Sequence, residues 1–122
     1  MRVLVVEEHP SLRQLIRSIL ELGHAEVEEA PDGHSVVAAY TSYHPDWVLM
    51  DLSLRGMDGL DATRLLKRAH PEAKVMIVTD QDSLTLRRKA REAGAGGVLT
   101  KDKLFQELSR TNFLPAVTGR KR

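Results

Sequence analysis

A doubly wound α/β fold, a five-stranded parallel sheet with helices on both faces, is predicted by three observations on the sequence. Short continuous apolar runs alternate, five times over, with segments that carry the 3.6-residue periodicity of amphipathic helices. The connectors between them are brief, which suits right-handed β-α-β crossovers. Each of four runs also closes on polar or charged residues, and open parallel sheets hold their ligands outside the carboxyl ends of the strands.

The first strand is Val3-Leu4-Val5-Val6, β-branched and apolar on both faces, as a central parallel strand requires. Pro10 suits the first turn of the following helix, with His9 or Ser11 as cap, and Leu12, Leu15, Ile16, Ile19 and Leu20 form its apolar stripe before Gly23 ends it. Residues 25–30 are a more acidic run, expected at a sheet edge where charge discourages pairing with other chains. Past Pro31-Asp32-Gly33, a helix from His34 to about Tyr43 turns Val36, Val37 and Tyr40 inward and stops at His44-Pro45. Trp47 to Met50 is the third strand. Asp58 then caps a helix with Ala62, Leu65, Leu66 and Ala69 inward, ending near His70-Pro71. Lys74 to Thr79 is the fourth strand, and Asp82 or Ser83 caps a helix that buries Leu86, Ala90 and Ala93 and stops at Gly94. Val98-Leu99 is the fifth strand, and the last helix starts at Asp102, buries Leu104, Phe105 and Leu108, and must end before Pro115.

At 122 residues, with 42% hydrophobic and 29% charged residues, the chain makes one domain with a real core. We assign residues 1–112 to that domain and residues 113–122 to a basic C-terminal tail or a truncated linker. The absence of cysteine removes disulfides and thiolate chemistry, and the charged strand MRVLVVEEHP is not a signal peptide. With no apolar run approaching the ~18 residues of a membrane span, the expectation is a cytoplasmic protein with no membrane partner. A net charge of +1 does not argue for nucleic acid as a ligand, and none is expected for this domain itself. The local clusters Arg87-Arg88-Lys89-Ala90-Arg91 and Arg120-Lys121-Arg122 are, by default, solvated surface. The five histidines are spaced unlike a metal cluster.

The chemistry is expected around Asp51. A carboxylate ending the apolar run Trp47 to Met50 would be costly to bury without partners, so it belongs at a strand end facing a cleft. Glu7 and Glu8 end the first strand, Thr79 and Asp80 the fourth, and Thr100 and Lys101 the fifth. Acids, a hydroxyl and one lysine around a central aspartate suit a hard cation and a phosphoryl group.

The runs VLVVEEHPSLR, VLMDLSLRGMDGL, VTD and LTKD together resemble the receiver domain of two-component response regulators, over residues 2 to about 110. EEHPSLR and LTKD look most like the branch that often carries a helix-turn-helix output domain. The resemblance implies a flavodoxin-like sheet of order 2-1-3-4-5, with Asp51 taking a phosphoryl group from the phosphohistidine of a sensor histidine kinase. It further implies Mg²⁺ held by Glu7, Glu8, Asp51 and the backbone carbonyl of Ser53, with Thr79 and Lys101 on phosphoryl oxygens. Catalysis would be limited to gain and loss of that group at Asp51, and partners or a second copy would dock on the fourth helix, fifth strand and fifth helix. Four positions differ from the family pattern: Glu8 stands for the usual Asp, Arg55 for a Pro, Val98 for an aromatic switch residue, and Asp80 for a small residue. An alternative is a pseudo-receiver, the same fold used as a phosphorylation-independent interaction module. A Toprim-type metal site is disfavoured because Ser53 stands where its second aspartate would be.

Overall fold

Strands that are apolar on both faces must be covered on both sides, and this requirement builds the molecule. A computed structural model describes residues 1–108, the side chains of Phe105, Glu107 and Leu108 excepted. Its elements are β1 (Arg2–Val6), α1 (Pro10–Leu22), β2 (Glu26–Ala30), α2 (Val36–Tyr43), β3 (Trp47–Asp51), α3 (Gly59–Ala69), β4 (Val75–Thr79), α4 (Leu84–Ala93), β5 (Gly97–Thr100) and α5 (Lys101–Leu108). All strands are parallel, in the order β2-β1-β3-β4-β5, as expected.

Strand alternation divides the core in two. Leu4, Val6, Val48, Met50, Val75 and Ile77 face α2, α3 and α4, where Val36, Tyr40, Leu66 and Ala90 meet them. Val3, Val5, Leu49, Met76 and Val78 face α1 and α5, against Ile16, Leu20 and Leu104. Trp47 packs in this second core.

Several local expectations change. The apolar stripes are narrower than the sequence implies: Leu15 is 47% and Leu65 37% exposed, and Ala69 is exposed too. A helix on a sheet buries only the middle of its apolar arc, and these residues lie at the margins. His9 occupies the N-cap of α1 but its side chain makes no cap hydrogen bond, because the ring turns to Glu7. Gly23 caps the C-terminus of α1 as expected, with φ −87°, and the left-handed residue is the following His24, with φ 69°. Helix α2 begins at Val36 instead of His34, and α5 at Lys101 instead of Asp102. Ser83, not Asp82, caps α4, accepting from Leu86 N at 3.0 Å, while Asp82 pairs with Arg87. The expected burial of Phe105 and Leu108, the stop at Pro115 and the basic tail fall outside the described residues.

Candidate functional site

The parallel register brings the polar strand ends to one edge in steps. Val6 pairs with Met50, so Glu7 continues level with Asp51. Asp51 pairs with Val78 and Thr79 with Thr100, which sets Thr79 and then Lys101 successively further along.

Asp51 is only 3% exposed. Its Oδ1 accepts a long hydrogen bond from Ser53 N at 3.5 Å and lies 3.7 Å from Lys101 Nζ. Its Oδ2 is buried with no partner. Burial and then the neighbouring Glu7 carboxylate raise the Asp51 pKa to about 6, against the opposing pull of Lys101 and the Ser53 N–H. Glu7 is 2% exposed, and its Oε2 accepts from His9 N and faces His9 Nδ1, each at 3.1 Å. Two buried carboxylates thus crowd one end of the sheet, with one ammonium close by.

The other expected site residues are occupied elsewhere. Glu8 Oε2 accepts from Arg55 N at 3.3 Å and lies 3.8 Å from the Arg55 guanidinium. The Thr79 hydroxyl donates to Gln81 O at 3.1 Å and accepts from Gln81 N at 3.3 Å. Glu7, Asp51 and Lys101 are therefore brought together, while Glu8 is drawn over the loop after β3. Among the described residues no three potential metal-ligating side chains converge as a ready metal centre. The donors nevertheless suit a hard cation, because they are carboxylate oxygens and one of them, Asp51 Oδ2, is buried with its lone pairs unused.

Two supports were not singled out from the sequence. Arg13 Nη1 donates to Glu7 O at 2.7 Å and Arg13 Nε to Glu29 Oε1 at 2.9 Å, so one guanidinium ties the end of β1 to β2. The available signal was a charge between the stripe residues Leu12 and Ile16. Gly59 is the second. A Cβ there would lie 2.3 Å from Asp51 O, so only glycine lets α3 start against the end of β3. Its signal was a glycine directly after the capping Asp58, whose Oδ1 accepts from Asp61 N at 2.9 Å. Asp80, expected at the end of β4, has its Oδ1 3.5 Å from Lys101 Nζ. The sequence placed this acid beside the cleft without showing its partner.

An open groove of about 480 Å³ between the loop after β3 and the start of α4, lined by Ser53, Asp58, Ser83 and Lys89 among others, runs beside the site rather than over Asp51. No helix among the described residues is long and apolar enough to cross a membrane.

The chain is similar to known proteins over most of its length. The nitrate/nitrite response regulator protein NarP of Escherichia coli is 37% identical over 103 residues, which is 83% of this chain and 48% of NarP. The chemotaxis protein CheY of Halobacterium salinarum is 35% identical over 100 residues, 82% of this chain and 83% of CheY. A crystal structure of a LuxR-family two-component response regulator from Aurantimonas superposes with a TM-score of 0.84 at 32% identity, covering 98% of this chain and 86% of that one. The chain thus spans about half the length of NarP and most of CheY. Residues 3–111 match the response regulator receiver domain, and with these relatives the match makes the chain a member of the receiver domain family of two-component response regulators.

Proposed function

We propose that Asp51 accepts a phosphoryl group from the phosphohistidine of a sensor histidine kinase and that this modification switches a partner-binding face. The observation that carries the reading is the buried Asp51 carboxylate, with Oδ2 unpartnered and its pKa raised to about 6. A fold that only needed a strand-end cap would not keep such a group where burial and Glu7 both oppose its charge.

In the step itself an Asp51 carboxylate oxygen forms a bond to phosphorus. The phosphorus–nitrogen bond of the donor histidine breaks, its electron pair leaving on the imidazole. Charge builds on the phosphoryl oxygens, and Lys101 neutralises part of it as a compact cation on a flexible stem. For Thr79 to donate to a phosphoryl oxygen its hydroxyl must leave Gln81 O, which frees the loop between β4 and α4 to shift. That exchange couples the site to α4. Glu7, Glu8, Asp51 and the Ser53 carbonyl would hold Mg²⁺, which when bound supplies further neutralisation of the phosphoryl charge. Glu8 must first give up Arg55.

The output face we assign is that of α4, β5 and α5. Arg88, Lys89 and Arg91 are exposed on α4, whereas Arg87 is engaged by Asp82. Such a cluster suits an acidic partner or a weak, salt-sensitive pairing with a second copy, and a net charge of +1 gives no general attraction to nucleic acid.

Incubation with Mg²⁺ and a small acyl phosphate, followed by intact mass, tests the reading. One phosphoryl group should be gained, and Asp51→Asn or excess chelator should abolish the gain. A gain that survives either treatment, or no gain in the parent protein, would overturn it; the second result is what a phosphorylation-independent module would give.

A further inference from the structure

Lys101 does not belong to Asp51 alone. Its Nζ lies 3.7 Å from Asp51 Oδ1 and 3.5 Å from Asp80 Oδ1. Both separations exceed the ~2.7–2.9 Å of a close ammonium–carboxylate hydrogen bond, so the cation is shared and fully committed to neither acid. The two acids differ in setting. Asp51 is closed in the cleft, whereas the Asp80 side chain is 75% exposed at its mouth. Asp80 also directly follows Thr79, the hydroxyl expected to turn toward a phosphoryl oxygen.

We propose that Asp80 is a positioning residue that competes with the phosphoryl group for Lys101, holding the ammonium toward the cleft mouth and setting a charge-dependent barrier to anionic phosphodonors. The proposal rests on Asp51 as the acceptor. A donor entering the cleft meets the Asp80 carboxylate first, and transfer completes only when Lys101 turns from Asp80 onto the phosphoryl oxygens. Because the pair is partly exposed, Asp80 can release Lys101 readily, which makes it a modulator of rate rather than a lock. With acetyl phosphate as donor, an Asp51 oxygen bonds to phosphorus and the phosphorus–oxygen bond to the acetyl group breaks, acetate leaving with the electron pair. With phosphoramidate the phosphorus–nitrogen bond breaks and ammonia leaves. The first donor is a dianion and the second carries a single net charge, so they probe the barrier differently.

The experiment compares the parent protein with Asp80→Asn and Asp80→Glu, with Mg²⁺ present, following intact mass with both donors at low and high salt. Asp80→Asn should speed the acetyl phosphate reaction about three- to tenfold at low salt. The gain should be smaller with phosphoramidate and should shrink at high salt, while Asp80→Glu stays near the parent rate. Equal acceleration with both donors, or none, overturns the proposal. The ¹⁵N resonance of the Lys101 ammonium, read without donor, should also move in Asp80→Asn. An unmoved resonance with parental rates overturns this proposal alone, whereas absence of phosphorylation in every variant overturns the acceptor reading and this proposal with it.

Discussion

Asp51 and Glu29 are both strand carboxylates, and they are treated in opposite ways. Asp51 closes the middle strand, 3% exposed, with one oxygen unpartnered and the other 3.7 Å from its nearest cation. Glu29 lies on the edge strand β2, 28% exposed at the side chain, and accepts from Arg17 Nη1 at 2.7 Å and Arg13 Nε at 2.9 Å. Burial raises the Asp51 pKa to about 6; hydrogen bonds from Arg17 and then Arg13 hold that of Glu29 below its ordinary value. The first region gives up stability to keep a buried carboxylate, the proposed phosphoryl acceptor. The second gains stability from a carboxylate held by two guanidinium groups. Arg13 joins them, since its other nitrogen holds the Glu7 carbonyl at the edge of the cleft.

The most direct way to break this contrast is Asp51→Asn. A pKa raised from 3.8 to about 6 means that the folded protein holds more protons than the unfolded chain between those values, so stability falls as pH rises through that window. Neutralising the group should therefore stabilise the protein by roughly 2–3 kcal/mol above about pH 7, and by almost nothing below about pH 3. Urea unfolding of parent and variant across that range measures the difference. A variant less stable than the parent at neutral pH would mean that attraction to Lys101 outweighs burial.

Arg13→Gln sharpens the comparison, because it touches both regions. Losing a charged donor to Glu29 and one to the Glu7 carbonyl should cost about 1–2 kcal/mol. It should also slow phosphorylation of Asp51 by displacing the end of β1, a change that a loss confined to the α1–β2 surface would not bring. Parental phosphorylation kinetics in a destabilised variant would confine Arg13 to the edge cluster.

The smallest effect is expected for Glu29→Gln. With the pair partly exposed, its loss should cost less than about 1 kcal/mol at neutral pH. The sign of its pH dependence is opposite to that of Asp51. A depressed carboxylate contributes stability above its unfolded pKa and loses it as pH falls through the folded value, so the penalty should fade in acid. A penalty that grows in acid would remove the contrast.

By itself the sequence determined the sequence of β-α units and the edge of the sheet where chemistry could occur. Runs such as Val3-Leu4-Val5-Val6 and Val75-Met76-Ile77-Val78 are too apolar for anything but strands covered on both faces. Once the strands are parallel, their polar ends must collect together, and Glu7, Asp51, Thr79 and Lys101 could be named from their positions alone. The helix stripes were legible to their middle residues and no further, as Leu15 and Leu65 show.

The tertiary structure decided which partner each polar group takes. Glu8 turns to Arg55 across 47 positions of chain, Lys101 divides itself between Asp51 and Asp80, and Gly59 is required by the carbonyl of Asp51 pressing on it. Periodicity records which face of its own element a residue occupies, because that depends on the local backbone repeat. Competition among charges from different loops is settled by differences of an ångström or two between segments far apart in the chain, and no local repeat encodes those distances.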